Sequence, residues 1–305
     1  MKQVLFVYDR FEKRGSNEHF WHFMLGYLLP AIQHYHQYYY LKEIEVQFVF
    51  EDCGPAMNPV TEELAQLFGL DYTIDQQLQQ KEQLSENAVV LPRWDKVLQR
   101  TSFFLFWPSR LHTDFPFKST KKYKDIRKGL FRNLWSGYLL RRSVLQMRRL
   151  LIDKVGVENV DETAEYLLIK RSEMPSFYAA DGGAKKKGYG VFRRSFQDLD
   201  AGQNTLSQDG IAAKIFEPGK HTLSKQVKKF NAAKGVVAVR GADLVNIIWL
   251  RPGTRVFMIN TKNNPPFHFY NLAAILGLKL VERCTDSHFP AFQDLQISEL
   301  IETYG

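Results

Sequence analysis

The segment KGVVAVRGADLVNIIWLRPGTRVFMI, residues 234–259, carries the most chemical information in the chain. A buried apolar strand ends at Val239, Arg240 and Gly241 follow at its carboxyl edge, and a helix opens at once with Ala242 and Asp243. In an open α/β sheet that edge is where ligands bind, and the N–H groups of a helix's first turn attract phosphate. A glycine lets the backbone approach such a ligand closely, and an arginine supplies a permanent positive charge. The pattern describes a cradle for two linked phosphates. A tight strand-to-helix turn beside a solvated arginine reads the same way locally, so the segment alone leaves both readings open.

Apolar periodicity predicts the elements that must position this turn. KQVLFVY (2–8) and IEVQFVF (44–50) are strands, separated by a buried helix over 19–41 that Pro30 kinks or divides. Short strands are expected at 88–91 and 102–107, then a long helix over about 124–152 with Ile126, Leu130, Leu134 and Tyr138 on one side. After a polar stretch at 155–163 the pattern restarts with EYLLIKR (165–171), and 180–190 reads as a mobile loop rich in Gly and Lys. Beyond it, strands at AAKIFEP, VVAVR, RVFMIN and LKLVER alternate with helices stopped by Gly235 and Gly277, and a last helix falls near 296–303. This order predicts an α/β fold with mainly parallel sheets. A chain of 305 residues exceeds one ordinary core. Two domains are therefore expected, 1–158 and 159–305.

Composition narrows the class. Apolar residues at 45% and aromatics at 14% describe a folded protein. Cys53 and Cys284 are too few for a disulfide framework and lack zinc-ligand spacing, which fits a reducing compartment. The N-terminus has no apolar run long enough for a signal peptide or a membrane span, so a cytoplasmic location is expected. The net charge of +8 is concentrated: residues 118–150 hold eleven Lys or Arg against Asp125 alone, which leaves the remainder slightly negative.

The segment around Gly241 resembles the C-terminal signature of glycosyltransferase family 61, with Gly241, Ala242, Leu244, Asn246, Leu250, Pro252, Gly253 and Val256 matching in order and spacing. Gln226, Phe230 and Ala233 before it and FYNLAAILGL (269–278) after it are similar to the family as well. NEHFWHFMLGYLLPAI (17–32) resembles its His-containing helix, and LLIKR (167–171) its strand ending in arginine. The chain departs from the pattern at Arg240 for the usual His, Asp243 for a Gly, Val245 for a Thr, and Gly26 where an acid is common.

This resemblance implies an inverting, metal-independent transfer of a sugar from a nucleotide-diphosphate donor to a hydroxyl of a glycan or glycolipid, as in polysaccharide biosynthesis. The implied fold is GT-B-like: two Rossmann-like domains facing a cleft, the C-terminal one binding the donor. No cofactor or metal beyond the donor substrate is expected. The reaction needs a general base for the acceptor and a stabiliser for the departing diphosphate. His22 is the leading base, with Asp9 and Glu18 near the first strand's carboxyl edge as alternatives, although a histidine in an aromatic helix is often structural. Arg171, Arg240, Gly241 and Ala242 are expected at the diphosphate. Asn246 is assigned to the donor or to packing, and Arg193 and Arg194 either close over the donor or are surface charge.

Other motifs carry less. Asp198-Leu199-Asp200 has the spacing of a metal-dependent transferase without a preceding strand, and the glycine loop at 183–188 has Tyr189 where a phosphate-binding Lys is required. The basic segment 118–150 interleaves arginines with aromatics and suits either an anionic membrane surface, reached peripherally, or a solvated helix face. Two rival readings follow from the same residues: a basic nucleic-acid-binding protein, and a catalytically silent sugar-nucleotide-binding relative permitted by Gly26. No nucleic-acid motif supports the first, so no nucleic-acid partner is expected.

Overall fold

The computed structural model describes residues 2–8, 18–76, 86–100, 112–113, 134–157, 165–173, 194–261 and 267–304. Its strands fall into two all-parallel sheets. The first contains β1 (Lys2–Val7), β2 (Val46–Glu51), β3 (Tyr72–Asp75) and β4 (Ala88–Val90), in the order β3-β2-β1-β4. The second contains β5 (His112–Thr113), β6 (Tyr166–Ile169), β7 (Ala213–Phe216), β8 (Gly235–Val239), β9 (Arg255–Thr261) and β10 (Lys279–Thr285), in the order β5-β10-β9-β8-β6-β7. The mixed α/β class and the parallel pairing agree with the sequence, and both sheets have the strand orders of Rossmann-like folds.

Those orders determine where ligands can enter. In the first sheet the chain builds outward from β1 through β2 to β3 and then returns to place β4 on the other side of β1. In the second it goes from β6 to β7 and returns to place β8 on the other side of β6. Each reversal leaves a crevice at the carboxyl ends of the two strands that flank it, because their following loops depart in opposite directions. The crevices lie beyond Val7 and Val90 in one sheet, and beyond Ile169 and Val239 in the other.

Apolar helix faces cover the sheets. The helix expected over 19–41 is α1 (Phe20–Phe23), a π-helical turn (Met24–Leu28) and α2 (Leu29–Tyr38). Pro30 does not divide it: the Leu29 N–H reaches back to the Met24 carbonyl, and the wider turn absorbs the backbone change just before the residue that has no N–H. Phe6 stacks on Phe48 beneath these helices at 5.4 Å. The helices α3 (Asn58–Leu67) and α4 (Trp94–Arg100) were not evident in the sequence. The basic helix is described as α5 (Leu134–Val155), and it buries Leu140, Val144, Met147 and Leu151. Tyr138, expected on its apolar side, is 49% exposed, since it precedes Leu140 by two residues and so lies some 200° around the helix. The expected strand 102–107 and the loop 180–190 lie outside the described residues.

In the second half, α6 (Leu199–Gln208) and α9 (Ile297–Tyr304) cover one face, while α7 (Leu223–Ala232) and α8 (Phe267–Leu276) belong to the cluster on the other. That second cluster is continuous with the core of the first sheet. The halves are also joined by polar contacts. Asn271 donates to the Leu98 carbonyl at 2.6 Å. Glu63 of α3 accepts from the Leu223 and Ser224 N–H groups at 2.5 and 2.7 Å and so caps α7. Such a cap contributes on the order of 1 kcal/mol.

Two expectations at the key segment change. The helix after Gly241 is a 3-10 helix, Ala242–Trp249, rather than an α-helix. Every side chain from Leu244 to Trp249 is buried, and Pro252 and Gly253 turn the chain soon after, so a short, tight, all-buried span replaces an amphipathic helix. Gly235 does not stop α7, which ends at Ala232; it is the first residue of β8, paired with Tyr166. A Cβ there would lie 2.4 Å from the Tyr166 ring and 3.2 Å from the Arg255 carbonyl. Gly235→Ala is therefore expected to destabilise the protein by roughly 1–3 kcal/mol through overpacking, read as a lower urea midpoint with an unchanged slope.

Candidate functional site

The crevice of the second sheet gathers arginines. The Arg240 N–H donates to the Ile259 carbonyl at 2.8 Å, so the β8–β9 ladder fixes its backbone one residue beyond the strand. Its side chain Nη1 donates to Asn260 Oδ1 at 3.4 Å, and Asn260 Nδ2 donates to Glu282 Oε1 at 2.8 Å. Glu282 is 2% exposed and also accepts from the hydroxyls of Thr113 and Tyr270. Burial raises its carboxyl above the ordinary value, against the hydrogen bonds and the Arg240 charge that lower it. A buried acid is thus linked to Arg240 through Asn260.

Arg171 and Arg194 complete the group. A Cβ built on Gly241 would lie 3.7 Å from Arg194 Cβ and 3.8 Å from Arg171 Nη1. Gly241 is extended, with φ of −162°, and a Cβ would meet only ordinary contacts, so neither backbone conformation nor crowding requires glycine here. It sits between two guanidinium-bearing residues at ordinary contact distance. Arg194 has a left-handed backbone, φ 65°, fixed by its N–H donating to the His288 carbonyl at 2.7 Å. Burial and the neighbouring Arg194 charge push the Arg240 guanidinium down to about 10, which still leaves it cationic at neutral pH. An anion between these residues would relieve that repulsion.

The turn opens onto a cavity of about 710 Å³ whose walls come from both halves of the chain. Arg171, Ala242 and Asp243 line it on one side, with Gly219 and Gln226 after β7; Met57, Glu63 and His19 line it from the first half, whereas His22, Arg194 and Arg240 are not among its lining residues. Burial raises the Asp243 carboxyl, while Arg171 and the residue's own backbone N–H pull it down. Asn246 does not join this group. It is fully buried, and its Oδ1 accepts from Trp249 Nε1 at 3.1 Å while its Nδ2 has no hydrogen-bond partner among the described residues.

The crevice of the first sheet holds His22. Its Nδ1 lies 2.6 Å from Asp95 Oδ2, and Arg93 grips the same carboxylate with two bonds, Nε to Oδ1 at 2.8 Å and Nη2 to Oδ2 at 2.7 Å. Arg93 in turn lies over the Tyr8 ring at 4.2 Å, just beyond the end of β1. Burial alone would raise the Asp95 carboxyl; hydrogen bonds from His22 and Arg93 and their charges outweigh it and hold the group below its ordinary 3.8. Gly26 lies beneath the pair, where a Cβ would come 2.7 Å from Arg93 Nε and 3.0 Å from Asp95 Oδ1. The space that an acid at 26 would need is occupied by an acid from α4.

Of the remaining candidates, Glu18 lies in the turn ahead of α1, and Asp9 and Arg193 lie outside the described residues. Asp198 of the Asp-x-Asp motif precedes α6 without a side-chain capping bond, and its carboxylate accepts from the Phe292 N–H at 2.6 Å, a structural use. Among the described residues no three His, Cys, Asp or Glu side chains gather as a metal site, and no helix is long and apolar enough to cross a membrane. Sequence reasoning missed Arg93, Asp95 and Glu282. The run Leu91-Pro92-Arg93-Trp94-Asp95 directly after a strand, and an acid inside LKLVER, were the available signals.

Because the folded state holds Asp95 below its ordinary pKa, its contribution to stability is complete above about pH 4 and is lost as pH falls through the lowered value. The stability gap between wild type and Asp95→Asn in urea denaturation is expected to be narrower at pH 3 than at pH 7. No curated protein sequence matches the chain. The family model described as Glycosyltransferase 61 matches residues 20–257, a span that begins at the helix bearing His22 and ends in the strand after the Arg240 turn. The match takes in more than half of the chain, with His22, Arg93, Asp95, Arg171, Arg194 and Arg240 inside it, and the chain belongs to glycosyltransferase family 61.

Proposed function

We propose that this glycosyltransferase moves a sugar, with inversion, from a nucleotide-diphosphate donor to a hydroxyl of a glycan or glycolipid. The single observation that carries the donor class is the clustering of Arg171, Arg194 and Arg240 about the strand-edge turn at Gly241, from which Arg171 reaches the cavity wall. Guanidinium groups match phosphoryl oxygens in shape and charge, and fixed cations at a strand edge can stabilise a departing diphosphate without a metal ion.

In this reading the second half binds the donor and the first half the acceptor, a GT-B arrangement of domains 1–158 and 159–305 about the cavity. The acceptor oxygen forms a bond to the anomeric carbon while the bond from that carbon to the phosphate oxygen breaks. The acceptor proton passes to His22, and the nucleoside diphosphate leaves with its new negative charge held by the arginines. Exposed Tyr138 and Leu139 on α5, close in sequence to Arg141 and Arg142, suit peripheral contact with an anionic membrane that carries a lipid-linked acceptor. Cytoplasmic action fits that reading.

Thermal-shift measurements against nucleoside diphosphates of each base, and their sugars, test the donor assignment. One nucleotide series is expected to raise the melting temperature, with the same shift in EDTA, because a ligand of the native state alone stabilises it. Arg240→Glu should abolish that shift while the ligand-free protein still melts cooperatively. A shift unaltered by Arg240→Glu, or none from any nucleotide, overturns the donor site.

A further inference from the structure

We infer that Asp95 is the positioning residue for His22: clamped by Arg93, its carboxylate holds the Nδ1 proton and leaves Nε2 bare to take the proton of the acceptor hydroxyl. The inference rests on His22 acting as the base in the proposed reaction, and it adds a residue from a different element that the base depends on.

The geometry supports it at three points. Asp95 is fully buried while His22 is 22% exposed, so only the imidazole of this pair can meet a substrate. Arg93 binds both oxygens of Asp95, and the 2.6 Å contact to Nδ1 then has one sense: a carboxylate that already receives two guanidinium bonds accepts from His22 rather than donating. The group also lies beyond β1 and β4, at the first sheet's topological reversal. Gly26 belongs to the same device, because any side chain there would collide with Arg93 Nε and Asp95 Oδ1. The π turn that contains Gly26 carries the helix past the pair.

During transfer the acceptor O–H bond breaks, its proton goes to Nε2, and the resulting imidazolium is stabilised by Asp95, which stays ionised. The ionisable groups around His22 are His19 on the same helix at 6.4 Å between rings, Asp95 and Arg93 in contact, Tyr8 beneath Arg93, and Asp243 on the 3-10 segment that packs against α1. Asp95 is the one anion among them bonded directly to the ring.

Histidine-selective ¹⁵N NMR reads the tautomer without any substrate. Neutral His22 is expected to carry its proton on Nδ1 in the wild type. In Asp95→Asn, Arg93 claims the amide oxygen and turns the amide nitrogen toward Nδ1, which moves the proton to Nε2. A wild-type His22 protonated on Nε2, or a tautomer unchanged in a folded Asp95→Asn, overturns the inference; if that variant does not fold, the wild-type spectrum decides. With whichever sugar nucleotide stabilises the protein, Asp95→Asn should lower kcat by about 100-fold or more and leave the donor KM and thermal shift unchanged. A loss expressed in donor KM instead would assign Asp95 a structural role. Full activity in His22→Ala would refute the base reading itself while leaving the tautomer result intact, so the two failures are distinguishable.

Discussion

Like charges brought together at one point set the terms for this protein. Arg171 and Arg194 flank Gly241, and Arg194 repels the neighbouring Arg240 in a partly buried place where water screens them poorly. Their repulsion is tolerated because the fold offsets it from behind. Glu282, buried within β10, reaches Arg240 through Asn260, and Asp243 faces Arg171. The β8–β9 ladder holds the Arg240 backbone, and the left-handed turn at Arg194 is tied to His288. What these contacts leave is a concentration of positive charge at the strand-edge turn, from which Arg171 reaches the cavity wall.

A second charged group with the opposite organisation stands in the other sheet. There the acid is at the centre, buried, and a cation and an imidazole close on it from two sides. The first group combines strand ends with the bend at Arg194, and the second combines α1, the first turn of α4 and Arg93 just ahead of it. The halves that carry them are tied by Glu63 on α7, by Asn271 on the Leu98 carbonyl, and by Trp21 packed against Phe269 at 4.7 Å. Their shared apolar core keeps the cavity walls in register.

The strands were legible because a buried parallel strand must be almost wholly apolar, and IEVQFVF, YLLI and RVFMIN are. The helices were less so. Near Pro30 the sequence shows a missing N–H but not how the preceding turn absorbs it, since that depends on the sheet beneath. At Gly235 the glycine looked like a helix stop, yet its role is to admit the Tyr166 ring from the neighbouring strand, a contact across about 70 residues. Tyr138 was assigned to the wrong face because four-residue spacing alone does not say which stripe of a helix the core selects.

By itself the sequence determined the strand-edge turn at Arg240 and Gly241, the parallel α/β class and the family, because each rests on residues close together in the chain. Tertiary structure alone decided which atoms of Arg171 and Arg194 come close to that turn, that the Asn246 Oδ1 is bonded to Trp249, and that Asp95 stands beside His22. Charges that attract or repel act through space, and the 73 residues between His22 and Asp95 leave no local trace of their contact. Only the order in which strands enter a sheet brings such residues to one edge.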